Sequence, residues 1–200
     1  MDPVERYLTE VAEMVQALPR DRIRQVVEAV REARDHDRQL FLLGNGGSAA
    51  TASHMACDLS KTSIVPGAKR IRAIALTDNV PLLTAWANDV GYEDVFAEQL
   101  ANLVRRDDLV IAISGSGNSP NVLRAVELAK AAGAKTVGFT GHPGGKLKDM
   151  VDLSVVVSSK RIEQAEDAHL ILDHVISVTL REVARSSVED AGPTGGTSVG

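Results

Sequence analysis

The sequence has little that would tie it to an oxidising compartment, a membrane or a polyanion. Its single cysteine, Cys57, cannot close an internal disulfide, and there is no cysteine cluster at metal-ligand spacing, so a reducing compartment fits. No run of 18 apolar residues occurs, and the N-terminus MDPVERYLTEVAEMV is acidic and amphipathic rather than basic and then apolar. A cytoplasmic protein with no membrane partner is expected. Basic residues do not predominate: 22 Lys and Arg stand against 27 Asp and Glu, a net charge of -5 that gives no electrostatic footprint for nucleic acid. Aromatics are scarce at 3% while hydrophobic residues make up 44%, the composition of a globule built from Ala, Val, Leu and Ile. At 200 residues one domain is the default.

The apolar periodicity then divides the chain. Val4, Tyr7, Leu8, Val11, Met14, Val15 and Leu18, followed after Pro19 by Ile23, Val26, Val27 and Val30, predict an N-terminal helical hairpin. Short apolar runs at Gln39–Leu43, Arg72–Leu76, Leu109–Ile113, Thr136–Thr140 and Leu153–Val157 predict buried strands. Helical patterns at 47–60, 79–88, 94–104, 119–132 and 162–185 alternate with them, which predicts an α/β fold with a doubly wound, five-stranded parallel sheet. Residues 1–185 form the expected single domain, and the Gly/Ser/Thr-rich stretch 186–200 is expected to be a disordered tail.

Two strand-to-helix turns carry the chemistry. The first is Leu43-Gly44-Asn45-Gly46-Gly47-Ser48-Ala49-Ala50 and the second Ile113-Ser114-Gly115-Ser116-Gly117-Asn118-Ser119-Pro120. Glycines let the backbone approach an anion, a helix start presents free N–H groups with partial positive charge, and the serines add hydroxyl donors. Pro120 suits a first helical turn, with Ser119 as its cap. Each loop alone could be an ordinary connection, but two at the carboxyl ends of strands in one parallel sheet can face one crevice, where ligands bind in such folds. Gly44-x-Gly46-x-x-Ala49 approximates a dinucleotide fingerprint, yet the nearest acidic residue for a ribose, Asp78, comes 34 residues after Gly44 rather than about 20. The Gly-Lys-Ser/Thr ending of a P-loop is absent.

GNGGSAATASHMACDL followed by ISGSGNSPNVLRAVELAKAAGAKTVGFTG resembles the SIS (sugar isomerase) domain, and within it the sedoheptulose-7-phosphate (phosphoheptose) isomerase branch, over about residues 3 to 185. The resemblance implies a phosphorylated sugar as ligand, bound by Asn45, Gly46, Gly47, Ser48, Ser114, Ser116 and Ser119, with Asn88 and Asp89 of TAWANDVGYEDVF lining the same pocket. It also implies a homotetramer with shared active sites. The amphipathic hairpin and final helix agree, since they carry more apolar face than one sheet can cover. The family often has Thr at the position of Gly115.

Aldose–ketose isomerisation needs a base beside the carbonyl and a group that shuttles protons between oxygens. His54 and Asp58 are spaced i, i+4 on the helix leaving the first loop, so they share a face at a spacing that also suits a divalent metal. On the last helix Glu166, Leu170 and His174 fall on one stripe, with His169 and Asp173 on the adjoining one. From residues alone, that helix is equally well read as a solvated amphipathic face with His169 paired to Asp173. The resemblance makes His174 the general base and Asp58 its acid–base partner. It places Glu166 on the substrate and makes His54, Asp58, Glu166 and His174 available to Zn²⁺. The family has Glu where this chain has Asp58, Gln where it has Glu166, and an Arg shortly after that Glu, where Lys61 is the substitute here. Two other readings remain: a non-catalytic phosphosugar sensor or protein-binding adaptor, and an isomerase of another ketose phosphate. Trp86 and Cys57 are expected to pack as apolar residues.

Overall fold

The computed structural model describes residues 1–190. Helices α1 (Pro3–Gln16) and α2 (Arg20–Asp35) form the N-terminal hairpin, and Asp2 caps α1 by accepting from the Val4 N–H at 3.2 Å. Strands β1 (Gln39–Gly44), β2 (Arg72–Ala75), β3 (Leu109–Ser114), β4 (Lys135–Thr140) and β5 (Leu153–Val156) form one sheet in the order β2-β1-β3-β4-β5. All four pairings are parallel. The expected doubly wound, five-stranded architecture is therefore present.

Buried strands in such a sheet read as continuous apolar runs because both faces are covered. Leu40 and Leu42 of β1 face a cluster built with Val26 and Val30 of α2, Met55 of α3 (Gly47–Cys57), and Leu172 and Ile176 of α8 (Ile162–Asp190). Phe41 and Leu43 point the other way, against Leu100 of α5 (Ala97–Leu103) and Val122 and Val126 of α6 (Pro120–Ala131). Two further helices complete that second layer, α4 (Val80–Asp89) and the short α7 (Leu147–Met150), which the periodicity did not show. α8 continues to Asp190, five residues past the 162–185 pattern, so 186–190 of the expected tail are helical and the remainder lies outside the described residues. The 47–60 helical pattern is interrupted: α3 passes at Asp58 into a π-helical turn, Asp58–Thr62, closed by the Ser63 N–H donating to the Asp58 carbonyl at 2.9 Å.

A buried carboxylate fixes the amino ends of the central strands. Asp108, 4% exposed, accepts from the Gln39 N–H at 2.9 Å and from the Arg105 N–H at 2.8 Å, so the starts of β1 and β3 are tied side by side. Removing it leaves two backbone donors without partners. Asp108→Ala is expected to lower the unfolding free energy by about 2 kcal/mol in urea titration, the usual cost of orphaning such groups.

Candidate active site

The order β2-β1-β3 places the topological switch point between β1 and β3. The loop after β1 turns into α3 on one face of the sheet, and the loop after β3 turns into α6 on the other. The crevice opened there is where ligands bind in open α/β sheets. Both Gly/Ser loops border it, as the sequence predicted.

The two loops are cross-linked. Asn45 Nδ2 donates to Asn121 Oδ1 at 2.8 Å, and Asn121 Nδ2 donates back to Asn45 Oδ1 at 2.9 Å. The Tyr92 hydroxyl adds a donor to Asn45 Oδ1 at 2.9 Å. Neither Asn121 nor Tyr92 was singled out from the sequence, although an Asn in the first turn of the helix leaving a Gly/Ser loop was a usable signal. In the second loop, Ser114 Oγ and Ser119 Oγ lie 3.2 Å apart, and Ser116 Oγ accepts from the Asn118 N–H at 3.2 Å. Ser119 occupies the cap position of α6, but its hydroxyl makes no cap bond and is turned to Ser114 instead. Ser48 and Ser114 are buried at the heads of their loops.

The first turn of α8 closes over both loops. A side chain at Gly47 would collide with the Glu166 carboxylate, and one at Gly115 would collide with the end of Ile162. Ile162 thus fills the space that a Thr at position 115 would need. Further along, His174 Nε2 lies 3.1 Å from His54 Nε2 of α3, with the rings edge to face. Glu166 meets Gly47 at one end and His174 meets His54 at the other, so α3 and α8 run side by side in the same direction. Seven residues of helix separate Gly47 from His54, a rise of about 10 Å.

Asp58 Oδ2 is 3.7 Å from His54 Nε2 and 3.9 Å from His174 Nε2, while its other oxygen accepts from the Thr62 hydroxyl at 2.9 Å. Beneath the histidines, Asp173 is wholly buried: Oδ1 accepts from Ser177 Oγ at 3.1 Å, and Oδ2 has no hydrogen-bond partner and lies 3.9 Å from His54 Nε2. One ligand atom from each of His54, Asp58, Asp173 and His174 lies within 4.8 Å of all the others. These four residues fit a divalent metal. The donor set of two imidazoles and two carboxylates suits Zn²⁺, the spacing of the two Nε2 atoms matches ligands about 2 Å from a common ion, and the orphaned Asp173 oxygen points at the cluster.

Three of the four expected metal-ligating residues therefore come together, and the fourth is replaced. Glu166 sits two helical turns from His174 against the first loop, and Asp173 takes its place in the set. His169 does not pair with Asp173; it is fully buried near Phe139, with neither ring nitrogen hydrogen-bonded. The reading of this helix as a solvated face with His169 paired to Asp173, one of two left open by the sequence, does not hold. Asn88 and Asp89 stand exposed on the last turn of α4 and bond to each other at 2.7 Å, while Tyr92 just beyond them reaches the first loop. Cys57 is exposed rather than packed: at the end of α3 it borders an open hollow beside Ala73 and Ile74 of the edge strand β2. Trp86 packs partly against the second core layer, as expected.

The family can now be stated. Residues 5–141 match the SIS domain family, so the chain belongs to it. Among curated proteins, it is 40% identical to the phosphoheptose isomerase of Nitratiruptor over 76% of this chain and 80% of that one. It is 34% identical to the phosphoheptose isomerase of Geobacter sulfurreducens over 88% and 94%. The solved phosphoheptose isomerase of Neisseria gonorrhoeae superposes with a TM-score of 0.83 at 29% identity, covering 90% of this chain and 97% of that one. Within the family the chain groups with these isomerases and is an enzyme of their class, an aldose–ketose isomerase. Among the described residues, no helix is long and apolar enough to cross a membrane.

Burial sets two ionisations in opposition. Asp173 is pushed up to about 6, chiefly by burial and then by the nearby Asp58 charge. Burial holds His169 down to about 4. A carboxyl raised in the folded state stabilises the fold in acid, and that contribution is lost as pH rises through about 6. A histidine depressed in the folded state does the reverse, because the unfolded chain takes up its proton first below about 6.5. Asp173→Asn removes the first contribution and leaves the second. In chelator-treated protein, its melting temperature is expected to fall more steeply from pH 6.5 to pH 4.5 than that of the parent, as read by calorimetry.

Proposed function

We propose that the protein interconverts sedoheptulose 7-phosphate and an aldoheptose 7-phosphate by proton transfer through an enediol. The observation that carries this reading is the distance between the two halves of the site. The phosphate loops and the His54–His174 cluster lie at opposite ends of one helical span, about 10 Å apart. An extended chain advances about 1.2 Å per bond, so the eight bonds from C1 of a heptose to the phosphorus of a 7-phosphate cover roughly that span. With the phosphate in the loops, the carbonyl end of such a sugar reaches the histidines and carboxylates. The relatives' names point to the same substrate class.

The loop residues bind and orient. Ser48, Ser114, Ser116 and Ser119, with the free N–H groups at the starts of α3 and α6, take the phosphate oxygens. No lysine clamp is needed, because hydroxyls and helix ends supply the donors. His174, half exposed at the cluster, takes the proton from the carbon beside the carbonyl, and Asp58 moves the proton between the two oxygens. Asp173, buried behind them, adds the negative charge that holds an imidazolium once His174 is protonated. A zinc ion held by His54, Asp58 and Asp173 would supply a Lewis acid for the carbonyl oxygen and leave the His174 imidazole free to act as base.

The same reading includes assembly of identical copies. Val15, Leu18, Ile23 and Val27 of the hairpin and Ile171 and Val175 of α8 line an open apolar cavity of about 440 Å³, and α1 also exposes Val4 and Leu8. Such a face suits a symmetric partner.

The test is turnover of sedoheptulose 7-phosphate by the purified protein, with and without added zinc, beside a panel of shorter ketose phosphates. Seven-carbon substrate should turn over fastest. His174→Ala is expected to lower kcat at least 1000-fold while leaving the sugar-phosphate-induced rise in melting temperature in place. Ser116→Ala should reduce that rise. Absence of turnover across the whole panel, with binding retained, would make the protein a sensor or adaptor.

A further inference from the structure

We propose that Glu166 is a charge gate on the phosphate subsite: its carboxylate weakens the hold of the first loop on phosphate, so that only a ligand also reaching the His54–His174 cluster stays bound. The inference rests on the phosphosugar reading above and goes beyond it, because it assigns a residue that sets how tightly the first loop holds any phosphate group, so that a ligand needs its contacts at the His54–His174 cluster as well.

The observation is the contact across Gly47. The Glu166 carboxylate lies over the Gly47 backbone so closely that even a methyl group at 47 would meet its carbon and both its oxygens. Gly47 is the first residue of α3, where the N–H groups have no partners within the helix and the local potential is positive. An anionic ligand would seek that point, and an anion of the protein itself already faces it. Among the described residues, no side chain pairs with this carboxylate. Arg161, five residues earlier, is turned to Glu10 of α1 at 3.4 Å, and Gln164 donates to the same Glu10 at 2.8 Å. The Tyr7 hydroxyl donates to Asp167 at 2.6 Å. These bonds from α1 hold the first turns of α8 in place, so Glu166 does not drift away from the loop.

A phosphate entering the loop therefore meets a fixed like charge a few ångströms away. In a partly solvated site such a repulsion weakens binding on the order of tenfold. The neutral isostere Gln keeps the shape and removes the charge.

The test compares the parent with Glu166→Gln and Glu166→Ala by titration calorimetry, using inorganic phosphate, a ketose phosphate and the same ketose without phosphate. Both variants are expected to bind inorganic phosphate about tenfold more tightly than the parent, with the gain shrinking at high salt and with no change for the unphosphorylated sugar. The ketose phosphate should gain by a similar factor, because its phosphate group meets the same charge. Unchanged or weaker phosphate binding in both variants, alongside a ketose-phosphate affinity that still falls in Ser116→Ala, overturns the gate and leaves the phosphosugar reading standing. Failure of parent and variants alike to bind phosphate or ketose phosphate overturns both.

Discussion

The site depends on one constraint, the parallel alignment of α3 and α8 on the same face of the sheet. Each helix supplies one wall, and their relative position along the axis decides which residues meet. Packing alone leaves room for sliding, since ridges fit grooves at more than one register. Here the register is fixed at one end by the bare backbone of Gly47 under Glu166 and at the other by the His54–His174 contact. A slip of one turn, about 5.4 Å, would break both contacts and pull Asp58 away from His174. The core supports the same register, because Leu172 and Ile176 of α8 and Met55 of α3 share one buried cluster with Leu40 and Leu42.

A second constraint acts across the crevice. The loops leave neighbouring strands for opposite faces, and the pairing of β1 with β3 ends at Gly44 opposite Ile113, so it does not set how far the rest of each loop stands from the other. The reciprocal amide pair of Asn45 and Asn121 does, with the Tyr92 hydroxyl as a third member. Each amide uses both a donor and an acceptor in the pair, which fixes the orientation of the side chains as well as the gap between backbones. The loops are then organised before any ligand arrives, and ordering them need not be drawn from binding.

Much of this was legible in the sequence, for identifiable reasons. The central strands β1, β3 and β4 are buried on both faces and read as near-continuous apolar runs, whereas β2, expected to be buried as well, is an edge strand with Arg72 and Ile74 exposed. The two loops stood out because Gly, Asn and Ser were concentrated where strands turned into helices. His54, Asp58 and His174 could be placed by helical spacing and by family likeness. What was hidden depends on contacts between elements far apart in sequence. Glu166 and His174 share a stripe of α8, yet two turns of helix separate them, so one stripe serves two different ends of the crevice. Asp173 looked like a partner for His169 at i+4, but burial turned His169 into the core beside Phe139 and left Asp173 facing α3. Periodicity gives the face of a helix; it does not give the neighbour.

The shortened acid at position 58 shows how these parts compensate. Aspartate reaches about one methylene less far than the glutamate the family carries, and a loss of that size at a catalytic group is costly when nothing restores the geometry. Two features of the chain act on the shorter reach. At Asp58 the helix widens into a π turn, a local change of backbone path of the kind found at functional sites, and the Thr62 hydroxyl grips one carboxylate oxygen while the other faces both histidines. Asp173 then places a second carboxylate against the same imidazoles from the buried side. Burying a carboxylate is unfavourable unless charge or hydrogen bonds repay it, and Asp173 has only Ser177 for one oxygen. Its free oxygen is satisfied when a cation, whether an imidazolium or a metal ion, occupies the cluster. On the proposed reading, the cluster holds positive charge at the carbonyl end of the crevice, and its negative counterpart, the phosphate, sits about 10 Å away in the loops.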